Sequence, residues 1–221
     1  MIRNLIFSIS FFTGIIIISL FFLPALFLPR RIVLYGGKLM GYWSGFCVKF
    51  FLSNQIEIKG KENLIKNKKF FIAASHQSMF ETFYLQTIFK SPVFILKKEL
   101  LWIPIFGWYL KKIGSISIKR NQITKDNLGF FDHISKIVNQ SDRPLIIFPQ
   151  GTRVLPNERP PFKKGAFRIY EQLNIVCQPV AINSGYVWPK KGFKKGNKDI
   201  VISILKPIPS GIPKENFIQI L

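Results

Sequence analysis

The hydrophobic pattern divides the chain into two parts that meet near residue 54. Residues 5–28 form an uninterrupted run of 24 residues without a charged side chain. As an α-helix such a run would be about 36 Å long, which is enough to cross the apolar core of a bilayer. The pattern therefore predicts an N-terminal hydrophobic helix over residues 5–28.

A second apolar stretch, residues 32–52, is interrupted by glycines about four residues apart and carries several aromatic side chains. Small residues at this spacing favour close packing against another helix, and aromatic residues are typical of the membrane–water boundary. We therefore expect a second membrane-associated helix over residues 32–52 and a membrane anchor over residues 1–54.

Two other interpretations of the N-terminal run are a signal peptide and a buried core helix. A secretory signal peptide has an apolar region of only about 7–15 residues, followed by a cleavage site of small residues. The run here is longer and ends in Leu23-Pro24-Ala25-Leu26-Phe27-Leu28-Pro29, without such a site. A retained membrane helix is the favoured interpretation, whether it spans the bilayer or lies in one leaflet.

Beyond Asn54, short apolar runs alternate with polar or amphipathic segments. The runs predict strands at residues 55–58, 70–74, 93–96, 115–118, 145–148, 176–182 and 200–205. The intervening segments predict helices at residues 79–89, 125–139 (with Thr124 as N-cap) and 165–172. This alternation is typical of α/β proteins, so residues 55–221 are expected to form a single α/β domain with a largely parallel mixed sheet flanked by helices.

Basic residues greatly outnumber acidic ones. Lys and Arg total 32 against 11 Asp and Glu, which leaves a net charge of +21. Such an excess indicates an anionic partner, either nucleic acid, a phospholipid surface or a phosphorylated metabolite. Cys47 and Cys177 match no metal-binding or redox spacing, so neither a metal site nor a disulfide framework is expected.

His76 is the candidate for acid–base chemistry. It follows the predicted strand 70–74, and the carboxyl ends of strands are where open α/β sheets bind ligands. Glu81 lies five residues later, within reach of His76 if the chain folds back over the first helical turn. A carboxylate there would orient the imidazole as a general base. The alternative is that Glu81 only caps the helix, because Ser78-x-x-Glu81 matches a capping box. The second histidine, His133, is expected at the surface.

Basic residues and small polar residues also follow other predicted strands. Gly151, Thr152 and Arg153 come directly after strand 145–148, where a glycine permits close backbone approach and arginine suits phosphate. Lys119 and Arg120 directly follow the predicted strand 115–118, and Lys163 precedes the predicted helix 165–172. A plain strand-to-loop turn with a solvated arginine remains the alternative at residues 151–153.

Four blocks in this order resemble the glycerolipid acyltransferase family, specifically the PlsC-like bacterial 1-acyl-sn-glycerol-3-phosphate acyltransferases. That family shows H-x4-D, G-x-[IV]-x-[IV]-x-R, F-P-E-G-T-R and a V-P-[VI] strand. The corresponding blocks of this sequence are His76 to Glu81, Gly114 to Arg120, residues 148–153 and residues 178–181. The chain differs from the family pattern at two of these positions, with Glu81 in place of Asp and Gln150 in place of Glu. We expect Gln150 to act by hydrogen bonds that shape the turn 151–153.

The resemblance implies an enzyme that moves a fatty acyl group from an acyl thioester to the sn-2 hydroxyl of lysophosphatidate, giving phosphatidate. The donor would be acyl-CoA or acyl carrier protein, and no cofactor or metal is implied. His76 would act as general base, oriented by Glu81. The acceptor's phosphate would be held by a second group of residues: Lys119, Arg120, Gly151, Thr152, Arg153 and Lys163.

The implied partners are lysophosphatidate, an acyl thioester, a phospholipid membrane and, as one of the two alternative donors, acyl carrier protein; nucleic acid is not among them. Arg30, Arg31 and Lys38 follow the N-terminal run, while only Arg3 and the α-amine precede it. If the N-terminal helix spans the bilayer, this bias places the bulk of the chain in the cytoplasm. Together with the resemblance to bacterial enzymes, it implies a catalytic part on the cytoplasmic face of a bacterial inner membrane. The alternatives are an acyltransferase for a different lysophospholipid and a membrane-tethered basic binding module without chemistry.

Overall fold

The computed structural model describes residues 2–118 and 129–221, in which an open sheet is covered by helices. The helices are α1 (Ile2–Phe21), α2 (Arg30–Leu52), α3 (Phe80–Ile88), α4 (Phe106–Lys112), α5 (Phe130–Asn139), α6 (Lys164–Leu173) and α7 (Lys214–Ile220). The strands are β1 (Ile56–Lys59), β2 (Phe70–Ala74), β3 (Val93–Lys97), β4 (Ile116–Ile118), β5 (Leu145–Ile147), β6 (Val176–Ile182) and β7 (Ile200–Ile204).

The sheet has seven strands in the order β1-β7-β6-β2-β5-β3-β4. The five strands from β6 to β4 are parallel, β7 is antiparallel to β6, and β1 runs parallel to β7. The predicted α/β class and the largely parallel mixed sheet are therefore confirmed. Because β6, β2 and β5 are parallel neighbours, their carboxyl ends lie at the same edge of the sheet, and the residues that follow them meet there.

The two faces of the sheet belong to separate hydrophobic clusters, as the alternation of side chains along a strand requires. Ile72 and Ala74 of β2 pack in a buried cluster with residues of α1, α2 and α3. Phe71 and Ala73 pack on the other face in a cluster with residues of α5, α6 and α7. The continuous apolar run of β2 thus marks a strand that is buried on both faces.

The predicted strands all occur, and their ends agree with the prediction to within one residue. The helices predicted at residues 79–89 and 165–172 correspond to α3 and α6 with the same agreement. For the helix predicted at residues 125–139, the structure describes α5 from Phe130 onward, and Thr124 lies outside the described residues. The pattern did not predict α4, which is only seven residues long and follows Pro104.

The prediction of one continuous helix over residues 5–28 is wrong. The α-helix ends at Phe21, and Leu23–Phe27 form a turn of 3₁₀-helix. Pro24 explains the break. Its nitrogen has no hydrogen to donate, and its ring clashes with the preceding turn of an α-helix. The second predicted helix is confirmed as α2, which extends from Arg30 to Leu52.

One side of α1 is part of the hydrophobic core. Phe7 and Phe11 are fully buried, and their rings lie 4.9 and 4.8 Å from the ring of Trp188 in edge-to-face contact. Gly14 lies against the indole of Trp43 in α2, so that no side chain would fit there. α1 therefore packs on the α/β part of the molecule, while the division of the chain at residue 54 stays a prediction.

The other side of α1 is apolar and exposed. Its exposed side chains include Leu5, Ile6, Ile9, Phe12, Ile16, Ile17, Leu20 and Phe21. Within the described residues α1 is the one helix whose length and hydropathy are sufficient to cross a membrane, and only 22% of its most apolar window is buried. A soluble protein rarely presents an apolar surface of this extent to water, which makes α1 a candidate membrane anchor.

Candidate active site

His76 and Glu81 form a close pair at the carboxyl end of β2. Nδ1 of His76 lies 3.0 Å from Oε1 of Glu81, whose side chain is fully buried, while that of His76 is 12% exposed. An ionised carboxylate only accepts hydrogen bonds, so Nδ1 carries the hydrogen and Nε2 keeps its lone pair. This is the tautomer that a general base requires.

Glu81 also caps the helix, so the two interpretations of its role are compatible. Oε1 accepts hydrogen bonds from the backbone nitrogens of Gln77 (2.6 Å) and Ser78 (2.7 Å). The hydroxyl of Ser78 in turn accepts from the nitrogen of Phe80 at 3.1 Å. The reciprocal bonds of a capping box fold residues 76–78 over the first turn of α3 and bring the imidazole to the carboxylate.

Phe148 holds the imidazole from the side. Its ring stacks on the His76 ring with centroids 4.2 Å apart and planes inclined by 21°. The backbone of the same segment is fixed as well, because the nitrogen of Val154 donates to the carbonyl of His76 at 2.9 Å. The segment after β5 and the segment after β2 are thus joined into one site.

The turn after β5 needs its glycine. Gly151 has φ +69°, and a Cβ there would lie 3.0 Å from Cγ of Lys163. Its nitrogen donates to the carbonyl of Phe148 at 2.8 Å, and the nitrogen of Lys163 donates to the carbonyl of Pro149 at 2.9 Å. A residue with a side chain would be strained in this left-handed conformation, so Gly151 turns the chain towards Thr152 and Arg153.

The side-chain oxygen of Gln150 lies beside this turn. This atom, Oε1, is buried and has no hydrogen-bond partner among the residues that the structure describes. The turn is instead closed by backbone bonds, as described for Gly151. The expectation that the Gln150 side chain shapes the turn stays a prediction.

A cavity of about 500 Å³ opens beside the histidine. Its polar wall contains His76, Thr152 and Arg153 together with Lys97 and Lys190. The rest of the wall is mainly apolar and comes from α2, α3, β3 and α4: Val33, Gly36, Met40, Met79, Phe83, Phe94, Leu100, Phe106, Leu110 and Ile113 are among its residues. The cavity thus joins a basic site beside the imidazole to an apolar chamber.

The structure brings together some of the predicted phosphate ligands. Thr152 and Arg153 line the cavity with His76, whereas Gly151 and Lys163 lie against each other beside it. Lys119 and Arg120 lie outside the described residues. His133 is exposed on α5, as expected.

Sequence reasoning missed Ser184 and Lys190. The hydroxyl of Ser184 donates to Oε2 of Glu81 at 2.6 Å, and the ammonium group of Lys190 lies in the cavity wall, 3.4 Å from the carbonyl oxygen of Arg153. The position of Ser184 just beyond β6 was a usable signal, because β6 adjoins β2 in the sheet. Nothing in the local sequence distinguishes Lys190 from the neighbouring lysines.

The comparison with protein families decides the assignment. The Acyltransferase family model matches residues 55–183, which is more than half of the chain. The chain belongs to the acyltransferase family. The match includes the histidine–glutamate pair and the turn after β5, whereas Ser184, Lys190 and the cavity wall from α2 lie outside it.

Curated proteins are similar to this chain over about two thirds of its length or more. The 1-acyl-sn-glycerol-3-phosphate acyltransferase of Pseudomonas aeruginosa is 34% identical over 154 residues, or 66% of this chain and 57% of that protein. The protein of the same name from Saccharomyces cerevisiae is 34% identical over 167 residues, or 73% of this chain and 54% of that protein. The matched part thus spans little more than half the length of these relatives.

A solved structure has the same fold as this chain. It is the 1-acyl-sn-glycerophosphate acyltransferase PlsC from Thermotoga maritima, with a TM-score of 0.80 and 23% sequence identity. The superposition covers 99% of this chain and 91% of that one. The likeness therefore includes the N-terminal helices as well as the sheet.

Not every basic residue of the chain is free to meet a ligand. Arg143 is occupied by three backbone carbonyls, because its guanidinium donates to the oxygens of Ser91, Pro92 and Ile113. Burial, and secondarily the nearby charge of Arg30, lowers the pKa of Arg143 to about 10. It therefore remains a cation at neutral pH and acts as a structural clamp between β3, α4 and β5.

Potential metal ligands are not clustered in the part of the chain that the structure describes. No three His, Cys, Asp or Glu side chains lie close enough there to hold a metal ion. Cys47 and Cys177 are both buried and are not joined in a disulfide. Burial raises the pKa of the Cys177 thiol to about 12, so this thiol is not a nucleophile at neutral pH.

Proposed function

We propose that this chain transfers a fatty acyl group from an acyl thioester to the sn-2 hydroxyl of 1-acyl-sn-glycerol-3-phosphate, giving phosphatidate for phospholipid synthesis. The observation that carries the proposal is a histidine, fixed as a base by Glu81, in the wall of a cavity that is basic on one side and apolar on the other. The names of the related proteins support the same reaction.

His76 would act as the general base. Its Nε2 takes the proton of the acceptor hydroxyl as that oxygen attacks the carbonyl carbon of the thioester, and Glu81 stabilises the imidazolium that forms. The tetrahedral intermediate then collapses, the carbon–sulfur bond breaks, and the imidazolium returns the proton to the departing thiolate. The products are an ester and a free thiol, and neither an acyl-enzyme nor a cofactor is needed.

Arg153 is the main candidate for the acceptor's phosphate. Its guanidinium can form two parallel charge-assisted hydrogen bonds to phosphate oxygens, and Thr152 beside it offers a hydroxyl. Lys190 adds a third group in the same wall, while Lys119, Arg120 and Lys163 stay candidates from the sequence. The apolar part of the cavity would hold an acyl chain.

The enzyme would sit on the membrane without crossing it. Asn4 near the start of α1 forms two hydrogen bonds with the backbone of Lys194, and the hydroxyl of Tyr109 in α4 donates to the carbonyl of Ser19 near its end. These points are about 22 Å apart along the helix. Because both ends of α1 are held by the α/β part, the helix lies along it and presents its exposed apolar side to one leaflet.

We place that surface on the cytoplasmic face of a bacterial inner membrane. Residues 190–198, which adjoin the start of α1, carry five lysines and no acidic residue, and would contact anionic headgroups. Acyl-CoA or acyl carrier protein would deliver the acyl group from the aqueous side.

The test is an acyl-transfer assay with purified protein, acyl-CoA and acyl carrier protein as donors, and a panel of lysophospholipids as acceptors. We expect phosphatidate to form from lysophosphatidate at the highest kcat/KM. Arg153→Ala should lower kcat/KM by about 10- to 100-fold for lysophosphatidate, but much less for an acceptor without a terminal phosphate. Equal losses for both acceptors would show that Arg153 is structural.

The same panel distinguishes the alternatives. Faster transfer to another lysophospholipid would assign a different acceptor to the same chemistry. No transfer with any acceptor and donor, together with tight binding to anionic vesicles, would instead favour a basic membrane-binding module.

A further inference from the structure

Ser184 lies on the far side of Glu81 from the histidine. Its hydroxyl donates to Oε2 of Glu81 at 2.6 Å, and both side chains are fully buried. Among the described residues Ser184 is the one donor to that oxygen, whereas Oε1 receives bonds from His76 and two backbone nitrogens. Without Ser184, half of the carboxylate would be buried without a partner, which is costly for a charged group.

The fold holds Ser184 rigidly in this position. It begins a 3₁₀ turn, Ser184–Tyr186, directly after β6, and its carbonyl accepts from the nitrogens of Val187 and Trp188 at 3.1 and 2.8 Å. Trp188 is in turn packed against Phe7 and Phe11 of α1. The turn that carries the Ser184 hydroxyl is therefore held in place by packing in the hydrophobic core.

We propose that Ser184 is a positioning residue for the reaction proposed above, because it sets the rotation of the Glu81 carboxylate. With Oε2 bound to Ser184, Oε1 faces Nδ1 of His76, and the lone pair of Nε2 faces the cavity. When the hydroxyl is removed, the carboxylate is free to rotate or to take up a proton. Either change weakens the hydrogen bond between Glu81 and Nδ1 of His76. The inference rests on the proposed function only for its kinetic test.

The kinetic test uses Ser184→Ala. We expect kcat to fall by about 10- to 100-fold, the usual effect of losing a hydrogen bond to a charged group, with the KM of both substrates essentially unchanged. Ser184→Cys keeps the shape of the side chain with a slightly larger atom that is a weaker donor, so its kcat should be intermediate. Ser44→Ala is the matched control, because it removes an equally buried hydroxyl whose one partner among the described residues is the carbonyl of Gly41.

A double variant separates positioning from general stability. In a Glu81→Gln background, adding Ser184→Ala should cause little further loss, since the charged group on which Ser184 acts is already gone. The same fold-loss in both backgrounds would show that Ser184 acts independently of Glu81 and would overturn the proposal.

A spectroscopic test does not depend on activity. The chain has only two histidines, so ¹⁵N-histidine labelling gives two imidazole spin systems, and His133→Gln assigns them. We expect the proton on Nδ1 of His76 to give a downfield signal in the wild type and in Ser44→Ala, and to broaden or disappear in Ser184→Ala and Ser184→Cys. An unchanged signal in both Ser184 variants would refute the proposal. If the wild type transfers no acyl group, the proposed function fails, and this signal alone decides the role of Ser184.

Discussion

At the scale of single residues, the site depends on the number of donors that converge on one carboxylate. Glu81 is fully buried, yet it accepts four hydrogen bonds, from His76, Gln77, Ser78 and Ser184. Burial of a charge in this manner is tolerated because each oxygen is compensated. The same bonds fix the imidazole, so the capping role and the orienting role of Glu81 use the same geometry.

Substitutions of Glu81 test whether its charge matters. Glu81→Gln keeps the shape but removes the charge that stabilises an imidazolium, and one face of the amide donates rather than accepts. We expect kcat to fall by about 10²- to 10⁴-fold, as when acid–base catalysis is lost. Glu81→Asp keeps the charge and should lose less. The measurement is steady-state transfer to lysophosphatidate, with the melting temperature as a control for folding. A fully active Glu81→Gln would reduce Glu81 to a helix cap.

At the scale of elements, α1 has two faces with separate tasks. Phe11 is fully buried against Trp188, while Phe12, the next residue, is 51% exposed. The buried face stabilises the fold, and the exposed face would contact lipid. The continuous apolar run of the sequence conceals this division, because both faces are apolar.

Adjacent phenylalanines separate the two tasks of α1. Phe11→Ala should destabilise the protein by about 3–5 kcal/mol, since it leaves a cavity in the core. Phe12→Ala should leave the stability nearly unchanged but weaken partition into vesicles. Chemical unfolding and vesicle sedimentation measure the two effects. If both variants lose membrane binding without any loss of stability, α1 would be a membrane anchor that is not part of the hydrophobic core.

The elements show what a single sequence can reveal. Strands such as β2 and β6 were predictable because their apolar runs are bounded by turns, and His76 was identified because it directly follows such a strand. α4 is too short to show a helical period. Ser184 is 103 residues from Glu81 in sequence, and only the pairing of β6 with β2 brings them together. Contacts set by strand order are not visible in local patterns.

At the scale of the whole molecule, the net charge of +21 favours binding to an anionic surface. Residues 190–198 place five lysines beside the start of α1, and Lys190 also reaches the cavity wall with Arg153. A surface that combines apolar and basic groups binds anionic lipid by both effects, and only the electrostatic part is screened by salt.

Charge reversal on that surface is the matching test. Lys191→Glu/Lys195→Glu should weaken binding to anionic vesicles strongly and binding to neutral vesicles little, because lysines near a membrane contribute about 1 kcal/mol each. Lys66→Glu/Lys68→Glu makes the same charge change before β2, at the opposite edge of the sheet, and serves as control. Equal losses of vesicle binding for the two pairs would mean that binding depends on the net charge of the protein and not on this surface.

The central claim is that His76 is the base of an acyl transfer, and His76→Ala tests it most directly. The measurement is the rate of phosphatidate formation from lysophosphatidate and an acyl thioester, with His133→Ala as the exposed-histidine control. We predict that His76→Ala lowers the rate by about 10²- to 10⁴-fold while the melting temperature and vesicle binding stay the same, and that His133→Ala is fully active. A folded, membrane-bound His76→Ala enzyme with near-normal turnover would contradict the account.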